Sequence, residues 1–180
     1  LVGSEMCIRD SVRAVAFESG AGRAVICLID AIGIGRDMSD TAKAKAAERT
    51  SWNAECMLIC ATHTHTAPKG GEGMPGREEY EKLKYQKLEE AIVLAIESIE
   101  PARVGFSSED EPSEVRNRRW YLQPGTMPPN PLGELDQVGT NANRNHLVRP
   151  AGPIDPEICV IDVRTNRHKP LALIALSLIH

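Results

Sequence analysis

Two histidines spaced by one residue, His63 and His65, lie in the string CATHTHTAP (Cys60 to Pro68), which closes an apolar run and ends on a proline. Residues two apart in an extended chain face the same side, so this spacing predicts two neighbouring imidazoles, with Thr62, Thr64 and Thr66 on the other side. Imidazole nitrogen suits zinc, and a zinc centre needs such convergence. Taken alone, the pair also fits a plainer reading, two polar residues where a strand meets solvent. Arg116, Arg118 and Arg119 crowd into VRNRRWYLQPG (Val115 to Gly125), which by itself reads as a solvated basic turn. Asp30 sits near the end of an apolar run and either supports a site or simply ends a strand. His146 and His168 lie in polar strings and read as surface residues. Cys7, Cys27, Cys56, Cys60 and Cys159 are odd in number and mostly sit in apolar runs, so they read as buried thiols rather than a disulfide framework. Cys56 and Cys60, four apart, would share one face of a strand, beside Met57, Leu58 and Ile59.

These residues need elements to hold them. Val12 onward and RAVICLIDAIGIG are two strand-like runs joined by SGAG, which predicts a hairpin. Arg36 to Trp52 is rich in alanine, lysine and glutamate and predicts a helix capped by Ser39 or Asp40. ECMLICAT (Glu55 to Thr62) is short and continuously apolar, the pattern of a strand buried on both faces under helices, with the histidines at its end. After the glycine-rich KGGEGMPG, helical spacing of Tyr80, Leu83, Leu88, Ile92, Ala95 and Ile99 predicts a helix over 77–99 that Pro101 terminates. ARVGFSS predicts a strand. Residues 109–156 are largely proline, glycine and asparagine, a stretch longer than a plain connector and of the kind that often carries function. EICVIDVR and PLALIAL predict two further strands joined by TNRHK as a second hairpin. The expected fold class is α/β in the mixed α+β sense, a mixed sheet with flanking helices.

The chain has 180 residues, 42% of them hydrophobic, and a net charge of −4, which suits one globular domain and gives no basic surplus for nucleic acid or anionic membrane. No apolar run approaches a bilayer-spanning length, and Arg9 and Asp10 interrupt the first stretch where a signal peptide needs an apolar centre. Export is therefore not legible. The start at Leu1 and the stop at His180 within an apolar run predict a fragment. SEMCIRDS and LSLIH resemble translated sequencing-adapter strings, so residues 1–11 and 176–180 are read as non-native end segments.

Three metal-hydrolase patterns can be compared with the string directly. A metallo-β-lactamase-like site continues His-x-His with x-Asp-His, whereas Thr66, Ala67 and Pro68 follow here. A zincin needs His-Glu-x-x-His on a helix, and no such string occurs. An amidohydrolase-type barrel also uses His-x-His after an early strand, but hairpins at both ends fit poorly with regular strand-helix alternation.

LICATHTHTAP resembles the Thr-His-Thr-His-Ser/Thr segment of the neutral, or alkaline, non-lysosomal ceramidases, zinc-dependent amidases. VRNRRWYLQPG resembles that family's Asn-Arg motif, and LVRPAGPIDPEICVIDVR (Leu147 to Arg164) the segment leading to its next core strand. The resemblance spans residues 12–175 and corresponds to the N-terminal part of the family's catalytic domain. It implies Zn2+ as cofactor, His63 as first zinc ligand, His65 as a neighbouring group at the reacting centre and Arg118 as the active-site arginine that approaches both. His180 falls at the offset of the second zinc histidine, although LSLIH lacks the asparagine and tyrosine expected there. The family's glutamate and tyrosine ligands and its serine would lie beyond residue 180. The implied reaction is hydrolysis of the N-acyl bond of ceramide or a similar lipid amide, with no nucleic-acid partner. A secreted or periplasmic parent with peripheral membrane contact is compatible with it. A truncated domain of this fold without catalysis, and a different His-x-His amidohydrolase, remain as alternatives.

Overall fold

Strands β1 (Val2–Cys7), β2 (Val12–Ser19) and β3 (Gly22–Ile29) open the computed structural model, which describes residues 2–7 by backbone alone and every other residue except 1, 8–11, 21, 69–74, 128, 141, 142 and 178–180. The chain divides into two compact units, residues 1–104 with 163–172 and residues 105–162 with 173–180. β1 pairs antiparallel with β2 through main-chain bonds, which any sequence can supply.

The first unit carries the predicted hairpin. β2 and β3 pair antiparallel with Val12 opposite Ile29, Ala14 opposite Cys27 and Ala16 opposite Val25, and Gly20 takes the left-handed φ of 57° that the turn requires. Helix α1 (Arg36–Thr50) then crosses to strand β4 (Met57–Ala61), which lies parallel to β3 with Val25 opposite Met57 and Cys27 opposite Ile59. The sheet order is β1-β2-β3-β4, so it is mixed, as the sequence predicts. Helix α2 (Arg77–Glu97) follows.

Alternation along β2, β3 and β4 sends Val12, Ala14, Ala16, Val25, Cys27, Ile29, Met57 and Ile59 to one buried face. Met38, Ala42 and Ala46 of α1 and Leu88, Ala91, Ile92 and Ala95 of α2 complete that core. Leu58 points the other way and is 58% exposed. ECMLICAT is thus an edge strand buried on one face among the described residues, not on both. Its continuous apolar composition conceals this, because both faces read alike.

Several local expectations change with it. α1 begins at Arg36 behind Gly35, with no side-chain cap, so Ser39 and Asp40 lie within its first turn. Burial of Met38 fixes that turn against the core and outweighs the capping preference. The helix stops at Thr50, and Trp52 leaves it to enter the core with Arg23 stacked 5.1 Å from its ring centre. α2 ends at Glu97, two residues short of the predicted limit. Cys56 belongs to a short 3-10 helix (Ala54–Cys56) and not to the strand, so the shared-face expectation for Cys56 and Cys60 fails. Cys27 is buried, Cys56 and Cys60 are half-buried and Cys159 is exposed, while the Cys7 side chain and residues 69–74 of the glycine-rich loop lie outside the described residues.

Strand β5 (Ala102–Asp110) matches the ARVGFSS expectation. The stretch 109–156, expected as loop, contains strands β6 (Arg119–Leu122), β7 (Val138–Thr140) and β8 (Leu147–Pro150), ordered β7-β6-β8 with antiparallel pairing. Strands of three or four residues carrying Gly139 and Pro150 have no readable alternation. Strands β9 (Glu157–Thr165) and β10 (Pro170–Ser177) are neighbours in a sheet ordered β10-β9-β5, and the Thr165 N–H donates to the Lys169 carbonyl at 2.9 Å across the predicted second turn. Among the described residues no helix is long and apolar enough to cross a membrane.

Burial, with a smaller contribution from Cys60, pushes the Cys27 thiol up to about 12 from 9.0. The folded chain therefore keeps this proton over a range where the unfolded chain has lost it. Stability should fall as pH rises above 9.0 towards about 12. Urea midpoints across that range should decline less steeply in Cys27→Ala, whatever its starting stability; an unchanged slope would remove Cys27 from the account.

Candidate functional site

The carboxyl ends of parallel strands are where α/β sheets place ligands, because the loops that follow diverge there. β3 and β4 meet this condition. The Thr62 N–H donates to the Ile29 carbonyl at 3.0 Å, which carries the pairing one residue beyond β4, and Asp30 and Ile32 leave β3 alongside.

His63 does not continue the strand. Its φ of 58° is left-handed, an unusual conformation for a residue with a side chain, so simple alternation does not place the two rings. They meet nonetheless. The His63 and His65 ring centres are 4.9 Å apart, edge to face at 80°. His63 Nδ1 lies 2.7 Å from the Ile32 carbonyl oxygen, and both histidines are exposed. Thr64 and Thr66 are joined through their hydroxyls at 3.0 Å.

Thr62, Thr64 and Thr66 line a separate cavity of about 500 Å³ with Asp30, Tyr80 and Lys84, and neither histidine forms part of its wall. Asp30 pairs with Arg13 at 3.4 Å. It therefore ends β3 with a partner of its own. Among the described residues no three of His, Cys, Asp and Glu converge as a metal ligand set, and His180 lies outside those residues. The donor chemistry of the histidine pair fits part of a zinc shell.

Arg118 belongs to the second unit, in a groove of about 530 Å³ formed by Val115, Arg116, Asn117, Arg119, Pro153 and Asp155, among others. Asn117 organises that loop. Its Nδ2 donates to the Pro153 carbonyl at 2.7 Å, and its Oδ1 accepts from the Arg119 N–H at 2.9 Å. A Cβ at Gly152 would lie 3.0 Å from Asn117 Nδ2, so any larger residue there would crowd the Asn117 amide. Arg116, Arg118 and Arg119 are exposed around this anchor, and Val115 is buried beneath it. Asn117→Ala should lower stability by about 1–2 kcal/mol, the usual net worth of two hydrogen bonds, as read by urea unfolding. A neutral result would mean that water replaces both bonds.

His168 sits exposed in the β9-β10 turn, as its reading as a surface residue expects, whereas His146 is half-buried in a short 3-10 helix (Arg144–His146). Two groups at these sites escape the sequence. Asn117 could have been found, since asparagine two residues before a bonded N–H is a common turn device. The Ile32 carbonyl could not, because a main-chain atom 31 residues away carries no side-chain signal.

The fold has known counterparts. No protein-family model matches the chain, and no curated protein matches it. Among solved structures, neutral ceramidase from Pseudomonas aeruginosa is similar over 97% of this chain, with a TM-score of 0.59 and 17% identity. A ceramidase complexed with C2 is similar over 96%, with a TM-score of 0.55 and the same identity. The chain spans 28% and 26% of those proteins, respectively. At this identity the relation is one of fold: the chain has the architecture of part of a neutral ceramidase.

Proposed function

We propose that residues 12–175 are the N-terminal part of the catalytic domain of a zinc-dependent amidase that cleaves the N-acyl bond of ceramide or a similar lipid amide into a sphingoid base and a fatty acid. The observation that carries this reading is the contact of His63 with His65 at the carboxyl ends of two parallel strands, in a chain whose fold is that of part of a neutral ceramidase. His63 would hold the ion, with His180 and residues beyond it supplying further ligands. When bound, zinc would polarise the amide carbonyl and acidify water.

The remaining work falls to this chain's side chains. His65, beside His63, would hydrogen-bond the reacting oxygen or move a proton between water and the leaving amine. By the resemblance, Arg118 would orient a substrate hydroxyl or offset developing negative charge. Its groove is pre-formed by Asn117. The lipid substrate implies peripheral contact of the parent with a membrane surface.

A full-length parent and the 12–175 segment, compared for bound zinc and for fatty acid released from ceramide, test the reading. Zinc and turnover are expected in the parent and neither in the segment, because a catalytic zinc takes three protein ligands. A zinc-loaded parent that releases no fatty acid from any N-acyl lipid would overturn it.

A further inference from the structure

We propose that the Ile32 carbonyl is a positioning group for His63: it accepts the Nδ1 proton, fixes the imidazole as the Nδ1–H tautomer and leaves Nε2 with the ring's only free lone pair. The Nδ1 to oxygen distance is 2.7 Å, at the short end for an N–H donor to a carbonyl. A carbonyl oxygen has no proton to give, so the nitrogen must be the donor. In a neutral imidazole one nitrogen donates and the other accepts, so this bond assigns both. Metal-binding histidines are commonly oriented in this way through the nitrogen that does not face the metal.

The backbone supports the same reading. Three described non-glycine residues have positive φ: Ser51 caps α1, His168 lies in the tight β9-β10 turn, and His63 follows the end of β4. Strain of this kind persists where the surroundings over-determine the conformation. At His63 two contacts supply that determination, the Ile32 carbonyl on one side and the edge-to-face ring of His65 on the other. The Thr62 N–H makes the last main-chain bond between the exits of β3 and β4, and the His63 ring then continues the link as a side chain.

This inference rests on the metal reading only for its purpose, and its test needs no metal. Two-bond proton-nitrogen correlation on the 15N-histidine-labelled 180-residue chain, at about pH 8.5 where free imidazole is neutral, identifies each tautomer. His63 should be a single Nδ1–H species, whereas exposed His168 should show an averaged mixture. An Nε2–H species, or a His63 mixture like that of His168, overturns the proposal. Side-chain geometry gives a second measurement. His63→Asn places an amide N–H near the Nδ1 position and tolerates positive φ, whereas His63→Gln carries its amide too far out to serve Ile32. The asparagine variant should keep its urea midpoint and the glutamine variant should lose part of it; equal behaviour overturns the proposal. Zinc separates the two readings. A tautomer fixed before zinc supports Ile32 even if no metal binds, and zinc bound by a ring found as Nε2–H overturns Ile32 while leaving the metal reading intact.

Discussion

His63→Ala in a full-length parent is expected to lose most of its zinc, whereas His65→Ala should keep most of the metal and lose turnover by about 10²- to 10⁴-fold, the range of a positioned acid-base group. The asymmetry follows from the proposed roles. His63 has one nitrogen occupied by Ile32, which suits a ligand held in one orientation. Among the described residues the His65 ring has His63 as its neighbour and no hydrogen-bond partner, which suits a group that must exchange protons. Removing a ligand should cost more than the roughly 10- to 100-fold in affinity lost when an outer partner is removed. Elemental analysis and fatty-acid release on the two variants read both effects. Equal loss of metal would make His65 a ligand as well.

Leu88→Ala should have the largest effect on stability, about 2–5 kcal/mol, as expected for truncating a fully buried leucine. Leu88 has no exposed surface and packs with Ile92 where α2 covers the sheet. The cavity left behind would lie under the helix that holds β2 and β3 in place, and the site sits at the ends of β3 and β4. Leu58→Ala provides the contrast. Its side chain is 58% exposed on the opposite face, so a change within about 0.5 kcal/mol is expected. Urea midpoints decide both, and comparable losses at the two positions would mean that Leu58 is covered in solution.

The contrast between these leucines also marks how far the sequence could be read. The β2-β3 hairpin, α2 and the final two strands were legible because period and punctuation agreed: alternation broken by SGAG, helical spacing broken by Pro101, and TNRHK between two apolar runs. Leu58 was not legible, since a continuous apolar run cannot say which of its faces a helix will cover. The small β7-β6-β8 sheet escaped because its strands are too short to show a period, and its stability comes from pairing between residues distant in sequence. At the site, the spacing predicts neighbouring rings through strand alternation, and the rings are neighbours for another reason. A left-handed residue, rather than an extended strand, sets the rings in contact. Arg118 is singled out by the resemblance alone, since its string by itself reads as a basic turn, and that reading gives no hint that Asn117 shapes the groove.

The parallel pairing of β3 with β4 has a kinetic consequence. Hairpins form from neighbours in sequence, but a parallel pair must wait for an intervening crossover to close, and such contacts slow folding as their separation grows. The Ile32 carbonyl and the His63 ring are 31 positions apart, with the whole of α1 between them. During synthesis the β2-β3 hairpin can therefore form while His63 is still a free side chain, and the ring acquires its orientation only once α1 has docked and β4 has joined the sheet edge. Metal encountered before that moment would meet a mobile histidine. The order of events makes the folded sheet the template for the ligand, so early zinc should do little to speed the folding of this half of the chain.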